Sequence, residues 1–475
     1  MKAKTQGEHS GQIDKRDLVQ VLSQLDAWLE TMRCPEGYSG PVAHWWQNCL
    51  QFTGAGLDWR YEGILIGYLN LYRSTGERNW LAKARRAGDD LVQGQLPSGN
   101  FPNSCFELNP YSGGTPHEAA CDLALLYLAE ALREEGDPSW KTYLAAAERN
   151  LRGYFLGVLW DAEAQSFRDH PRIPSFVPNK AATLVEALLQ WSALTGEETL
   201  VTRYALPTLE AILTHQVRGG ALDGAICQYS QNGRMVSKFF PYYIARCVPG
   251  LVAGYKWTRE ERYLDAAWRA MSFILRWRYE DGSFPQVVYP GGRVNRYPQW
   301  IAAVGDILRA MSLLKAYGFE ADPEPTLTWL LQGQEPSGAF RTARGFAAQI
   351  TQRQPGHLPE FRDLLPVCGW NDKAFRYLTE LRSKGAEVQR SGGAKEQGSR
   401  GAREQGVKKT GYGIRNTDYE LRITNYETDC LLGNQRVHYQ EDEAGIELQH
   451  NGEVLYRWKK GASWAEVCRP ELLWK

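Results

Sequence analysis

Thr75-Gly76-Glu77-Arg78-Asn79-Trp80-Leu81, followed by Gln95-Leu96-Pro97-Ser98-Gly99-Asn100-Phe101, is the stretch on which the fold can be decided. The first segment is a turn leading into Leu81, Ala84, Gly88 and Leu91, apolar positions at helical spacing. The second is a glycine–phenylalanine loop that ends that helix. Both recur. Thr195-Gly196-Glu197-Glu198 and Thr258-Arg259-Glu260-Glu261-Arg262-Tyr263-Leu264 repeat the turn, and Gly136-Asp137-Pro138-Ser139-Trp140 is a looser copy. Gln334-Glu335-Pro336-Ser337-Gly338-Ala339-Phe340 and Asp281-Gly282-Ser283-Phe284 repeat the loop, with Gln165-Ser166-Phe167 a degenerate version.

A second helix follows each loop, and most begin near a proline, which costs no needed hydrogen bond in a first helical turn. Pro116, Pro178, Pro241, Pro298 and Pro366 lie about 57 to 68 residues apart. Thr115-Pro116-His117-Glu118 has the spacing of a capping box. Second helices are expected near residues 57, 115, 177, 241, 298 and 367, and first helices near 17, 77, 138, 197, 260 and 323. Hairpins this short must stack to bury a core. The second helices are almost apolar all round, as in Leu123-Ala124-Leu125-Leu126-Tyr127-Leu128-Ala129, whereas the first carry charges. Buried inner helices and half-exposed outer ones define a closed ring. The expected fold is an all-α toroid of six hairpins, (α/α)6, over residues 17–385.

The 475 residues carry 55 Lys+Arg and 55 Asp+Glu, a net charge of zero, which argues against a nucleic-acid partner. No run of about 18 apolar residues is present, so no membrane span is expected. The segment Met1 to Asp17 lacks an apolar secretory core, and nine scattered cysteines without a C-x-x-C pair read as reduced thiols of a cytoplasmic protein. The cysteines and eight histidines form no metal motif, and no cofactor is expected. Seventeen Trp, 24 Tyr and 15 Phe are enough both to fill a core and to stack on a ligand.

After Gly385 the composition turns to Gly, Ser, Lys, Glu and Gln, and residues 386–427 are expected to be a disordered low-complexity insert. Part of it resembles translated intergenic repeat DNA of the kind common in cyanobacteria. Alternating runs at Arg436–Tyr439, Gly445–Gln449 and Val454–Trp458, around turns at Asp442-Glu443 and Asn451-Gly452, predict a small antiparallel β-meander over 428–475, docked on the toroid.

The Thr-Gly-Glu-x-x-Tyr/Trp-Leu texture and the six hairpins resemble the six-hairpin glycosidase superfamily: (α/α)6 glycoside hydrolases, uronate-processing lyases and sugar epimerases. The Gln-x-x-Ser-Gly-x-Phe loops resemble instead the repeat of terpenoid cyclases and protein prenyltransferases. That second resemblance lacks an Asp-x-Asp-Asp proton donor and a zinc-binding trio, so it ranks second. The first implies a glycan, uronate-containing ones included, in the toroid cavity, with chemistry of the hydrolase, lyase or epimerase type. A non-catalytic glycan- or protein-binding toroid is the third reading.

The rim where the inner helices begin carries Asp58-Trp59-Arg60-Tyr61-Glu62, His117-Glu118, Asp122, Asn179-Lys180, Tyr242-Tyr243, Arg246, Trp300, Asp306 and Trp370-Asn371-Asp372. Six helix N-termini aimed at one cavity favour an anionic ligand. Asp58, Glu62, Asp122 and Asp372 are the candidate catalytic acids. Hydrolysis needs two carboxyls, about 5–5.5 Å apart for retention or about 6.5–9.5 Å for inversion. Elimination or epimerisation would use His117 or Tyr243 as base, with Arg246 or Asn371 neutralising a carboxylate. Trp59, Arg60, Trp300 and Trp370 complete the candidate binding set. Each acid also has a plain reading: first-turn acids answer the helix dipole, Glu118 suits a cap, and Asp122 suits a buried pair with Arg60 or Arg246.

Overall fold

The computed structural model describes residues 15–42, 51–53, 55–102, 115–396, 425–432, 435–462 and 466–467. Six helical hairpins follow in chain order: α1 (Lys15–Thr31) with α2 (Arg60–Thr75), α3 (Arg78–Gly94) with α4 (Ala119–Glu134), α5 (Trp140–Glu148) with α6 (Pro178–Thr195), α7 (Leu206–Thr214) with α8 (Pro241–Thr258), α9 (Glu261–Arg276) with α10 (Val304–Lys315), and α11 (Glu324–Leu331) with α12 (Cys368–Glu396). Wide turns at Arg149–Leu159 and Val201–Ala205 extend α5 and lead into α7. The even-numbered helices touch in sequence from α2 to α12, and α12 packs back on α2. The double ring is closed.

Burial follows the sequence pattern. In α3 only Trp80, Leu81, Ala84, Ala87, Gly88 and Leu91 are buried, a single stripe. In α2 every residue from Arg60 to Leu69 is buried. Pro178 and Pro241 sit in the first turns of α6 and α8, and Pro116 opens a short turn ahead of α4, where Thr115 Oγ1 accepts from the His117 N–H at 3.3 Å. Pro298 departs from this rule. Gln299–Trp300 is drawn into a two-stranded ladder with Ala343–Arg344, so α10 starts only at Val304. Among the described residues no helix is long and apolar enough to cross a membrane.

The glycine–phenylalanine loops join one outer helix to the next. Gly99 and Gly338 adopt φ of +92° and +93°, where L side chains are strained, and a Cβ on either would lie 2.5 Å from the Arg149 carbonyl and 2.2 Å from the Gln24 carbonyl. Gln95 Nε2 donates to the Gly99 carbonyl at 2.6 Å and to Ala146 of α5 at 2.8 Å. Gln334 Nε2 does the same to Gly338 at 2.9 Å and Val21 of α1 at 3.1 Å, which closes the outer ring. Gln216 with Gly224 repeats the device against Ala266 of α9, in a loop whose sequence lacks the phenylalanine of the other copies.

The C-terminal sheet has five antiparallel strands in chain order: β1 (Tyr426–Leu432), β2 (Gln435–Glu441), β3 (Gly445–His450), β4 (Glu453–Lys459) and β5 (Glu466–Val467). The Asn451-Gly452 turn joins β3 to β4 with positive φ at both residues. Tyr439, Leu448, Leu455 and Trp458 form its buried face. The sheet docks on the ring through the Leu431 N–H to Pro359 O (2.9 Å) and Ser39 Oγ to Ala462 O (3.2 Å). Helix α12 runs on to Glu396, eleven residues past the boundary drawn from composition at Gly385, and residues 397–424 of the expected insert lie outside the described residues, as do Cys49, Cys105 and Cys468.

Gly338→Ala should destabilise the fold by more than the roughly 1–3 kcal/mol that an unfavourable backbone conformation costs alone. Gly196→Ala is the control, since Gly196 has φ +77° but open space around its Cα. Urea unfolding of both variants measures the difference, and equal losses would mean that the Gln24 contact contributes nothing.

Candidate active site

A cavity of about 460 Å³ opens at the rim where the inner helices begin, and all six contribute to it. Trp59 immediately precedes α2, His117 lies in the turn before α4, Lys180 is in the first turn of α6, Tyr243 and Arg246 begin α8, Asp306 begins α10, and Trp370 and Lys373 begin α12. This convergence follows from topology, because every loop feeding an inner helix lies on one side of the ring.

The walls are aromatic. Trp59 and His117 stack with centroids 5.0 Å apart and planes within 5°, and Trp59 Nε1 donates to the Gly369 carbonyl at 2.8 Å. Trp300 lies against Trp370 at 4.9 Å, and the Trp300 N–H donates to the Tyr242 hydroxyl at 3.1 Å. Trp300 therefore stands behind Trp370 and Tyr242, in a small crevice off the main cavity. A three-stranded ladder of Ser175–Phe176, Tyr229–Gln231 and Arg234–Val236 forms the outer wall, from which Tyr229 and Gln231 face inward.

The lining carries three cations, Lys180, Arg246 and Lys373, and two carboxylates, Asp169 and Asp306. Burial first, then Lys373, Arg246 and Lys180, hold the His117 imidazole well below its ordinary pKa, so it is neutral at pH 7. Lys180 is paired with Asp169 at 3.0 Å and Lys373 with Asp372 at 2.6 Å. Asp306, half-buried, has no side-chain hydrogen bond or ion pair among the described residues.

The four acids named from sequence all lie off the cavity lining. Asp58 is fully buried and takes the Arg60 fork at 2.8 and 2.9 Å, while Arg60 also donates to the Tyr38 carbonyl at 2.9 Å. Glu62 accepts from both Arg246 and Arg376. Asp122 is reached neither by Arg60 nor by Arg246; its Oδ2 accepts from Asn150 Nδ2 at 2.8 Å, and burial raises its pKa well above the carboxylate range. Asp372 sits against Gly63 behind Lys373, its pKa raised by burial to about 7. Asn371 is spent on the backbone: Oδ1 accepts from the Phe340 N–H at 2.7 Å and Nδ2 donates to the Phe340 and Val367 carbonyls. Of the candidate set, Trp59, His117, Tyr243, Arg246 and Trp370 meet in the cavity.

Below the cavity the interior of the ring holds a chain of alternating charge. Arg246 pairs with Glu62, Glu62 with Arg376, Arg376 with Glu380 at 3.4 Å, Glu380 with Arg309 at 3.2 Å, and Arg309 with Glu186 at 3.5 Å. Five of the six inner helices supply these groups, and α4 adds Tyr127 beside Arg309 and Glu186.

Sequence reasoning passed over Lys373, Asp169, His170, Tyr229 and Gln231, all of which line the cavity. Lys373 had a readable signal: a lysine in the early turns of a helix opposes the dipole, and so needs a local anion or a ligand. Lys180 carries the same signal. The residues from 169–170 and 229–231 had none, because only the ladder between the two loops brings them to the rim. Among the described residues no three His, Cys, Asp or Glu side chains gather as a metal site requires.

No protein-family model and no curated protein matches the sequence. Solved structures do match in fold. An unsaturated glucuronyl hydrolase specific for heparin aligns with TM-score 0.56 at 14% identity, over 79% of this chain and 97% of its own. A D-mannose isomerase aligns with TM-score 0.58 at 14% identity, over 78% and 99%. The cellobiose 2-epimerase of Bacillus thermoamylovorans aligns with TM-score 0.57 at 12% identity, over 77% and 99%. The chain thus has the (α/α)6 toroid fold of the six-hairpin glycosidase-like enzymes.

Two outcomes follow. Glu62→Gln leaves two buried arginines short of a partner and should cost about 3–5 kcal/mol in urea unfolding. Asp122→Asn should cost almost nothing. With its folded pKa raised, Asp122 binds its proton more tightly in the native state, so its contribution to stability falls as pH rises from the unfolded value through the folded one. The variant should melt no lower than wild type at pH 5, and its advantage should be larger at pH 8. A loss of several degrees at both pH values would contradict the absence of an arginine partner.

Proposed function

We propose that the protein is a carbohydrate-active enzyme that holds an anionic sugar in the central cavity and moves a proton at a sugar carbon with His117 as base, chemistry of the epimerase, isomerase or lyase type. The observation that carries this reading is the place of His117 on the cavity lining, stacked on Trp59 among Lys180, Arg246 and Lys373, where burial and those cations hold its pKa well below the ordinary value. A neutral imidazole accepts a proton at pH 7, and the cations stabilise a sugar carboxylate or phosphate and the negative charge that develops on proton removal. Trp59, Trp370 and Tyr243 offer faces for a sugar ring, and the helix N-termini add positive potential. Hydrolysis by paired carboxylates is less well supported, since Asp58, Glu62, Asp122 and Asp372 are engaged behind the lining. Asp306, unpartnered on the lining, favours a second reading in which one carboxylate activates water. Six described cysteines, all buried and free, accord with a cytoplasmic, reducing setting.

The test is a thermal-shift screen of uronates, sugar phosphates and neutral oligosaccharides, followed by proton NMR of any hit in D₂O. Deuterium should enter one sugar carbon with wild type. His117→Gln should reduce that exchange by roughly 10²- to 10⁴-fold with binding retained. The wild-type rate should stay level through neutrality and fall only in acid well below the ordinary histidine range, where His117 protonates. Sugar hydrolysis lost in Asp306→Asn, with no deuterium exchange, would replace this reading by the second.

A further inference from the structure

The ladder that walls the central cavity has another face. Along its middle strand Tyr229 and Gln231 line the central cavity, whereas Ser230, of opposite alternation, lines a separate cavity of about 680 Å³ between α7 and the 161–176 segment. His215, at the C-terminal end of α7, lines that outer cavity too and is only 7% exposed. Its Nδ1 lies 2.7 Å from the Ala211 carbonyl and its Nε2 2.9 Å from Ser230 Oγ. A carbonyl can only accept, so Nδ1 carries the proton. Nε2 then presents a lone pair, and the Ser230 hydroxyl is the donor. Burial, with the Phe176 ring at 4.9 Å, lowers the imidazole pKa and keeps this tautomer neutral. A hydroxyl bonded to a neutral base, the base fixed by a third group, is the arrangement of an activated nucleophile.

We propose that Ser230 and His215 are a nucleophile–base pair that cleaves a small carboxylic ester in the outer cavity. Ser230 Oγ bonds to the ester carbonyl carbon as its proton passes to His215 Nε2. The ester C–O bond breaks and the departing alcohol takes that proton. Water then attacks the acyl-serine, giving a proton to Nε2; the acyl–Oγ bond breaks, Ser230 regains its proton and the carboxylic acid leaves. Phe176, Leu206 and Pro207 give the cavity apolar walls for a short acyl group; Asn232 lies on the same lining, as does Arg168, which is paired with Asp161 at 2.8 Å. The Ala211 carbonyl fixes the tautomer but carries no full charge to steady the imidazolium, so slow turnover is expected.

The experiment treats the full chain with a fluorophosphonate probe, maps the label by mass spectrometry, and follows p-nitrophenyl acetate hydrolysis. The expected result is one label per chain on Ser230, lost in Ser230→Ala and His215→Gln, with ester hydrolysis lowered about 100-fold or more in both. The wild-type rate should be level from pH 7 to 9 and decline below 6.5. Proton exchange on a sugar in the central cavity should be unaffected by Ser230→Ala. No label on folded wild type, or label and hydrolysis unchanged in Ser230→Ala, would overturn the proposal. Should His215→Gln fail to fold, Ser230→Ala decides alone, because it removes a single hydroxyl from a short strand.

Discussion

The chain of alternating charge from Arg246 through Glu62, Arg376, Glu380 and Arg309 to Glu186 is the constraint around which the rest of the ring is arranged. Three arginines and three glutamates, Glu380 alone substantially accessible, cannot be taken from water unless each finds its partner. The partners come from different helices. Pairing is therefore possible only in one rotational setting of α2, α6, α8, α10 and α12 about their axes. Apolar packing between near-featureless helices such as α4 and its neighbours would tolerate several settings; ion pairs with fixed geometry tolerate few.

That same chain reaches the central cavity at one residue. Its uppermost member, Arg246, serves both as partner to Glu62 and as a lining group, so packing energy and site electrostatics meet in one residue. Above it the starts of six helices converge, Lys180 and Lys373 stand beside their partners Asp169 and Asp372, and the stacked Trp59 and His117 form one wall. The outer ring has a different task. The Gln95, Gln216 and Gln334 amides tie each loop to the next outer helix, which keeps the loops, and the rim residues that follow them, on one side of the toroid.

The ladder of Ser175–Phe176, Tyr229–Gln231 and Arg234–Val236 shows how little backbone is needed to make two surfaces. The period of two along a strand sends Tyr229 and Gln231 to one cavity and Ser230 to the other. Neither loop has a helical repeat behind it, and both are read correctly only once paired.

The sequence by itself determined the hairpin count, the alternation of inner and outer helices and the sheet at the end of the chain. These are local: helical spacing, prolines at Pro178 and Pro241, and an Asn-Gly turn act over a few residues. It also placed Trp59, His117, Tyr243, Arg246 and Trp370 on one rim, where they line the cavity, because topology puts every inner-helix start there. What tertiary structure decided was the assignment of charge. Whether Glu62 faces a ligand or two arginines, whether Asp122 meets Arg60 or Asn150, and whether Pro298 starts a helix or precedes a strand all depend on side chains remote in sequence. Acidic residues at equivalent positions of a repeat look alike in one dimension. Their roles diverge because the neighbouring helix, not the residue's own, supplies the partner that fixes each proton and each charge.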